Sequence, residues 1–598
     1  MKLRWAFGIF AGAVLAIFML YPQARLMSLR GDQWQGNYAI TDVDEVAYAA
    51  YLQSLIDGKP RKNDSYAKLE DTPETPQSES LFSVQLAGSY SVALPARMLG
   101  ISAPLALTIL GVLAAFSTTL VLFWLIGMFT NDSFYAMVGC LVIFCFGTLA
   151  GGEGAILGAL ELRVAGPFFP GFRRYIPAVA LPVFFAFFGL LWLLVNSYDV
   201  KNRLIFGFLA FISFGFSLFS YFYQWTTLAA WLVGVIGLWS VIRPAGWRKT
   251  LKDMLLLVVG CLLWLIPYGI LLSGRSEAID DVQLLEFTRA PDFARVPIYL
   301  SVLVFLILGI GIRWGKIELK EPLTLFCAGF ALVPIAVHNH QIITGRSLQP
   351  VHYDLFTANY LVVLALILAI WQFLKDSQRF EIFQTRMTLA TVGLSAIAWG
   401  IVECHFTTRA YDDINIERDK GFDIAQRLRE DEAKSNSSGT ILCFPIWLSD
   451  DLPTNAPQPV LTAFHQIVFN GISRNESKER FYQYLYYQNT TPVELEQELR
   501  AGNFSPVIAL FGWGRYSNRL STEFNQLTES EIAGASARYN EYIANFNPHN
   551  SPKTILSFVI VENRKQTDLS NLDKWYKRRV EMKNTDFTLY KVKLIAAE

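Results

Sequence analysis

Charge is scarce in this chain and none of it is in surplus. Asp, Glu, Lys and Arg make up 17% of the 598 residues, with 51 Lys and Arg against 51 Asp and Glu, whereas an ordinary globular protein has about a quarter charged residues. That balance leaves no basic footprint for nucleic acid and no acidic or basic field for an oppositely charged partner. Cysteine is also sparse. Cys140, Cys145, Cys261, Cys327 and Cys404 lie in or beside apolar runs, and only Cys443 falls in polar sequence, so neither a disulfide framework nor a Cys-based zinc site is supported.

What is plentiful is apolar sequence, at 53% of residues with a mean hydropathy of +0.31. A helix needs roughly 20 apolar residues to cross the hydrocarbon of a bilayer, and about eleven such runs begin near residues 5, 103, 133, 174, 202, 225, 253, 295, 321, 357 and 386. The expected fold is therefore a polytopic α-helical membrane region over residues 1–405, with a long first outer loop at 22–102, followed by a soluble α/β domain over 406–598. Tyr21, Pro22 and Gln23 stand where a signal peptidase would need small residues, so Trp5 to Tyr21 reads as an uncleaved first helix that starts in the cytoplasm. Short loops carrying Lys201 and Arg203, then Arg243, Arg248, Lys249 and Lys252, then Arg313, Lys316 and Lys320, then Lys375, Arg379 and Arg386 are cytoplasmic by the positive-inside rule. Eleven crossings satisfy all of these loops and put the C-terminal domain outside.

The outer loops hold the residues that a membrane protein needs a reason to keep. In the first, Asp42-Val43-Asp44-Glu45 precedes apolar residues at helical spacing, Val43, Val46, Ala47, Ala50, Leu55 and Ile56. This predicts an amphipathic helix lying on the membrane with its stripe down. Asp42 as N-cap and Glu45 three residues on would form a capping box, which leaves Asp44 as the acid that capping does not require. Asp42 and Asp44 also form a D-x-D pattern that could hold Mg²⁺ or Mn²⁺ against a phosphate.

Further along, Glu153, Glu161, Arg163, Arg173 and Arg174 place both signs of charge at the membrane edge. The arginines are suited to gripping phosphate and equally to pairing with those acids. Tyr221, Tyr223, Gln224 and Trp225 fall at a tight outer turn, where interfacial aromatics are common. The run from His338 to Tyr353 holds His338, His340 and His352 with Arg346 and has no metal-binding H-x-x-x-H spacing, so it suits sugar or phosphate contact. The loop of Arg275, Glu277, Asp280, Asp281 and Glu286 reads as a solvated connector.

This order of elements, a cytoplasmic start, one helix, a long outer loop with an acid cluster and a surface helix, then many helices and an outer C-terminal domain, resembles the GT-C integral-membrane glycosyltransferases and bacterial membrane proteins of that general kind. The likeness spans residues 1–405 and is carried by Asp42 to Glu45, the run Asn339 to Tyr353 and the outer arginines. It implies location in a bacterial inner membrane with the C-terminal domain periplasmic, a polyprenyl-phosphate-linked sugar as donor, and a glycan, lipid or protein acceptor. It further implies Asp44 or Glu45 as catalytic base, and substrate contacts from Arg163, Arg173, Arg174, Tyr223, Gln224, His340, Arg346 and His352, with Mg or Mn at Asp42 and Asp44 as an option. The Trp-Trp-Asp-Tyr-Gly signature of oligosaccharyltransferases is absent, which leaves the acceptor class open.

The C-terminal domain shows no phosphate-binding loop, dinucleotide fingerprint or nucleophile elbow. Strands are expected at Thr440 to Trp447, Val507 to Phe511, Ile555 to Val561 and Phe587 to Val592, and helices near Ile416 to Leu428 and Val493 to Leu499. His465 and Cys443 read as core or surface residues. A transporter, lipid carrier or scaffold is the alternative. Transporters place polar residues near the bilayer midplane, often in two related halves, whereas the charges here gather at one edge.

Overall fold

Every one of the expected apolar runs forms a helix, as lipid requires of a backbone that has no water to bond with. A computed structural model of the chain describes residues 3–154, 169–276, 279–280, 284–375, 383–435, 439–516 and 525–596. In chain order come α1 (Trp5–Arg30), α2 (Glu45–Ile56), α3 (Leu86–Leu99), α4 (Ala103–Thr130), α5 (Ser133–Cys145), α6 (Leu181–Asn196), α7 (Val200–Leu218) and α8 (Phe222–Ile242). They are followed by α9 (Trp247–Ser273), α10 (Val296–Arg313), α11 (Pro322–Val337), the short α12 (Val351–Phe356), α13 (Ala358–Leu374) and α14 (Phe383–Ala410). Seven of these, α1, α4, α7, α8, α9, α10 and α14, are long and apolar enough to cross a membrane, and α5, α6, α11 and α13 are shorter apolar helices.

The bundle has two chemically different ends. At one end the basic loops pair locally, Lys375 with Glu321 at 2.9 Å and Arg386 with Asp132 at 2.9 Å, and Arg203 pairs with Asp253. The other end, where α1, α7, α11 and α14 finish and α6, α8 and α13 begin, receives the first long loop and the C-terminal domain.

Residues of α2 from Glu45 to Leu55 are all buried, so the helix does not lie on the membrane surface as its apolar stripe suggests. Tyr48, Tyr51 and Leu52 make it apolar on the remaining face as well, and a helix that is apolar all round is a buried one. It packs against α3 and α4 on one side and the C-terminal domain on the other. Rings of Tyr51, Phe82 and Phe469 stack across that boundary, Phe82 and Phe469 at 4.8 Å between centroids.

The C-terminal domain contains α15 (Asp412–Lys420), α16 (Phe422–Ser435), α17 (Ile446–Asn455), α18 (Arg474–Tyr487), α19 (Pro492–Arg500), α20 (Phe504–Phe511) and α21 (Glu529–Asn545) around a four-stranded sheet. Its strands β1 (Thr440–Cys443), β2 (Leu556–Glu562), β3 (Tyr576–Lys583) and β4 (Phe587–Leu594) lie in the order β1-β2-β4-β3. β1 runs parallel to β2 with Leu442 opposite Val559, and the other pairs are antiparallel. The expected strand at Val507–Phe511 is instead part of α20, because a short apolar run does not by itself distinguish a strand from a buried helix.

Ionic and polar contacts lock this domain to the first loop. Arg418 is fully buried and donates to Asp451 Oδ1 at 2.5 Å and to the Tyr38 carbonyl at 3.0 Å, while Asn37 Nδ2 donates to Asp451 Oδ2 at 2.9 Å. Arg25 pairs with Asp412 at 2.5 Å and Arg30 with Asp419 at 2.7 Å. The Gly471 N–H donates to Asp64 Oδ2 at 3.1 Å, and a Cβ on Gly471 would stand 2.5 Å from the Asp64 Cβ, so only glycine allows this approach. Arg418→Ala would strand the Asp451 carboxylate in the interior, at a cost of about 3–5 kcal/mol. The expected outcome is a clearly lower melting temperature for the purified protein in detergent, whereas Arg578→Ala, which removes a surface pair with Asp573, leaves it nearly unchanged.

Candidate active site between the bundle and the C-terminal domain

The two neighbouring acids Asp44 and Glu45 have opposite environments. Glu45, the first residue of α2, is fully buried. It accepts from Arg174 Nε at 3.0 Å and Nη2 at 2.6 Å, from the Arg174 N–H at 2.9 Å, and from the N–H and hydroxyl of Thr41, each at 3.0 Å. Arg174 spends its remaining contact on the Ala39 carbonyl at 2.6 Å. This pair staples the loop to the segment before α6 and faces no opening, so Arg174 is placed as a structural partner and not among groups open to a ligand.

The expected capping box is not formed. The helix is capped at Asp44 without a side-chain bond, because the Glu45 carboxylate turns to Arg174 and Thr41. Asp42 accepts from the Asp44 N–H at 2.9 Å, closing a local turn before the helix begins.

Asp44 is a half-open member of a largely enclosed network. Its side chain is 34% exposed against 3% for Arg173. Arg173 Nη1 donates to Asp44 Oδ2 at 2.6 Å and Nη2 donates to the Tyr221 hydroxyl at 3.3 Å, which lies 3.0 Å from His352 Nδ1. The guanidinium also lies over the rings of Phe356 at 4.5 Å and Tyr48 at 5.3 Å, a low-dielectric setting that strengthens its charge interactions. Tyr221 is not the interfacial aromatic that its place at an outer turn suggests. It is buried and links Arg173 to His352.

The C-terminal domain completes the site. His465, 3% exposed, is fixed by Asp450, whose Oδ2 is 2.6 Å from Nδ1 and whose Oδ1 accepts the His465 N–H at 3.0 Å. The other ring nitrogen, Nε2, is 3.6 Å from Asp44 Oδ1, too long for a hydrogen bond but close for opposite charges. His465 was read from the sequence as core or surface. Its one signal was local, in that Ser449, Asp450 and Asp451 form a polar run on a buried helix, and such acids need partners.

These contacts set the protonation states. Burial alone would raise the Asp44 carboxyl, but Arg173 and then His465 outweigh it and hold the group below the usual carboxylate range. Asp42 is pushed up to about 7 by burial and by the Asp44 charge, against the pull of Arg173. Burial and the Arg173 charge bring His352 down to about 3, so its ring is neutral. Burial works against a charged His465, yet Asp450 and Asp44 together raise it to about 10.

The remaining expected ligand-binding residues divide into three groups. Tyr223 and Gln224 are buried beside the network, with the Tyr223 ring 4.6 Å from His352, and among the described residues neither the Tyr223 hydroxyl nor the Gln224 amide has a hydrogen-bond partner. Such buried groups ordinarily bond to a water or ligand. His340 bonds the Val337 carbonyl at 2.9 Å, and Arg346 is exposed over the Phe287 ring at 5.7 Å, so neither joins the Asp44 network. His338 of the same loop is 3.0 Å from Asp354, which pairs with Arg295 at 2.8 Å. Arg163 lies outside the described residues, as does Glu161.

A metal between Asp42 and Asp44 does not fit this arrangement. The Arg173 guanidinium fills the space between them, 2.6 Å from Asp44 and 3.8 Å from Asp42, and among the described residues no three His, Cys, Asp or Glu side chains are grouped to hold an ion.

No protein-family model matches the chain, and no curated protein matches it by sequence. Among solved structures it is similar to the Archaeoglobus fulgidus oligosaccharyltransferase tethered by a disulfide to an acceptor peptide with an Asn-Val-Thr sequon. The TM-score is 0.44 at 11% identity, over 98% of this chain and 74% of that one. At that score the likeness carries no inference about the reaction.

The raised His465 value fixes the sign of a pH effect. A histidine whose folded value lies above 6.5 contributes stability in full below about pH 6.5 and loses it as pH rises through about 10. The melting temperature of the wild type should therefore fall across that window, and His465→Gln should flatten that part of the profile.

Proposed function

We propose that this chain is an integral-membrane glycosyltransferase that moves a sugar from a polyprenyl-phosphate donor to an acceptor on the outer face of the membrane, with Asp44 as general base. The observation that carries the reading is the half-open Asp44 carboxylate at the rim of a buried network of Asp42, Arg173, Tyr221, His352 and His465. In the topology proposed here, with eleven crossings and the basic loops in the cytoplasm, this network lies on the outer side, where the lipid part of the donor can stay in the bilayer.

The chemistry needs little more than these groups. An acceptor hydroxyl attacks the anomeric carbon from the face opposite the phosphate, the bond from that carbon to the phosphate oxygen breaks, and the phosphate leaves with the electron pair. Asp44, ionised at neutral pH, accepts the hydroxyl proton as it becomes acidic in the transition state. Oδ2 is held by Arg173, so Oδ1 is the oxygen free to take it. The leaving phosphate develops negative charge, which a guanidinium fixed in a low-dielectric pocket stabilises. A phosphate that draws on the Arg173 charge also loosens its hold on Asp44 and makes that carboxylate a better proton acceptor. The buried amide of Gln224 and the Tyr223 hydroxyl, unpaired among the described residues, and the His352 ring beside them are the polar groups proposed to meet the donor. Glu45 and Arg174 serve the reaction by holding the start of α2 in place.

Incubating the purified chain in lipid nanodiscs with a panel of radiolabelled polyprenyl-phosphate hexoses and pentoses tests this. Sugar release or transfer by the wild type that falls by about 100-fold or more in Asp44→Asn, measured below the variant's melting temperature, which drops with the loss of the Arg173 counter-charge, is the expected outcome. Neither binding nor turnover of any donor would overturn the glycosyltransferase reading in favour of a transporter or scaffold.

A further inference from the structure

The C-terminal domain meets Asp44 through the 3-10 turn Phe464–Val468, which carries a histidine oriented by an acid. Asp450 on α17 holds His465 by two hydrogen bonds, one to the ring at 2.6 Å and one to the backbone N–H at 3.0 Å. The ring is therefore fixed in both position and direction. Its Nε2 has no hydrogen-bond partner among the described residues, although it is buried, and it faces Asp44 Oδ1 at 3.6 Å. Trp513, from the same domain, closes the far side of the ring at 5.4 Å.

A purely structural docking pair would be expected to close to hydrogen-bond distance, as Arg418 and Asp451 do at 2.5 Å. His465 instead stops short of Asp44 while being held firmly from behind. We infer that His465, oriented by Asp450, is a positioning residue for Asp44, and that the C-terminal domain thereby supplies a working wall of the site. This deepens the glycosyltransferase reading and rests on it for its chemical meaning. Arg173 grips one carboxylate oxygen from the bundle and His465 faces the other from the soluble domain. The carboxylate plane is thus fixed while Oδ1 stays without a hydrogen bond and open to an incoming hydroxyl. Losing such orientation costs a reaction about 100-fold when a reacting group is displaced by about an ångström.

The charged and titratable groups that face this ring and its two carboxylates are Asp44 and Asp42 from the first loop, Arg173 from the segment before α6, His352 from α12, and Asp450 from α17. Tyr66, whose hydroxyl donates to the Asp450 carbonyl at 3.2 Å, joins them, as do Tyr48, Tyr221 and Tyr411 around Asp44. Of these, only Asp44 and Asp450 hold a proton on the ring, as the two carboxylates nearest its nitrogens.

The test uses the full chain in nanodiscs with ¹⁵N-labelled histidine, and follows the ring nitrogens of its six histidines by NMR against pH. One ring, absent from the spectrum of His465→Gln, is expected to stay doubly protonated at pH 8 in the wild type. It is expected to titrate at distinctly lower pH in Asp44→Asn and in Asp450→Asn. This readout needs no turnover, so it stands even if no donor is found. If every ring titrates near its ordinary value, or if Asp44→Asn leaves all of them unmoved, the inference is wrong. In sugar transfer, His465→Gln should lower kcat by about 100-fold with the donor KM little changed. Asp450→Asn should add a limb near neutral pH where the ring loses its proton, and a kcat equal to wild type in both variants would equally overturn the proposal.

Discussion

A guanidinium buried to 3% exposure must find its counter-charge within reach, and Arg173 finds it in Asp44 at 2.6 Å. Taking an ion of that size out of water costs several kcal/mol even after relaxation, so the loop and the bundle are tied together by the need to keep the pair intact. Two further donors of Arg173 go to Tyr221 and the Ile176 carbonyl, and aromatic faces close round it. Asp44 and His352 are the members of the network that keep a partly open side. The same contact that stabilises the site therefore decides which of its groups a substrate can touch.

The first loop is held between two bodies, and this explains why its acids differ so much. Toward the bundle, Glu45 and Arg174 neutralise each other completely. Toward the soluble domain, Asn37, Tyr38 and Tyr66 meet Asp451, Arg418 and Val460. Asp44 sits where these two interfaces meet and is the one acid of the cluster that both sides approach without enclosing. Burial raises Asp42 while Arg173 lowers Asp44, so adjacent carboxylates in one turn are kept in different protonation tendencies by their surroundings, a division that acid–base sites commonly rely on.

Much of the bundle was legible because lipid allows a helix few alternatives: each long apolar run became one. Asp44 stands out in the sequence for a local reason, since a cap needs the other two acids and not this one; in the structure the cap is not made, and Asp44 differs from its neighbours in having a side chain 34% exposed. What the sequence concealed was set by tertiary contact. The apolar stripe on α2 looked like a membrane face because periodicity cannot tell which partner covers a helix. The strand Tyr576–Lys583 went unseen because it lies at the sheet edge and carries Lys577, Arg578, Arg579, Glu581 and Lys583, with little apolar alternation to mark it. His465 lies more than 400 residues along the chain from Asp44, and no local pattern links two residues at that separation. Arg173 is legible in the sequence as a membrane-edge cation, but its pairing with Asp44, 129 residues away, is a tertiary contact that no local pattern marks.

The claim that most depends on this arrangement is that a phosphate-linked sugar is handled at the open side of Asp44. Cryo-electron microscopy of the chain in nanodiscs with a non-cleavable phosphonate analogue of a polyprenyl-phosphate hexose addresses it directly. The account predicts density for the phosphonate beside Arg173, with the sugar between Asp44 and His352 and the polyprenyl chain running along the bundle into lipid. Density for the headgroup elsewhere, such as the apolar groove between α7 and α9 near Arg203 and Asp253, with the Asp44 opening empty, would contradict it.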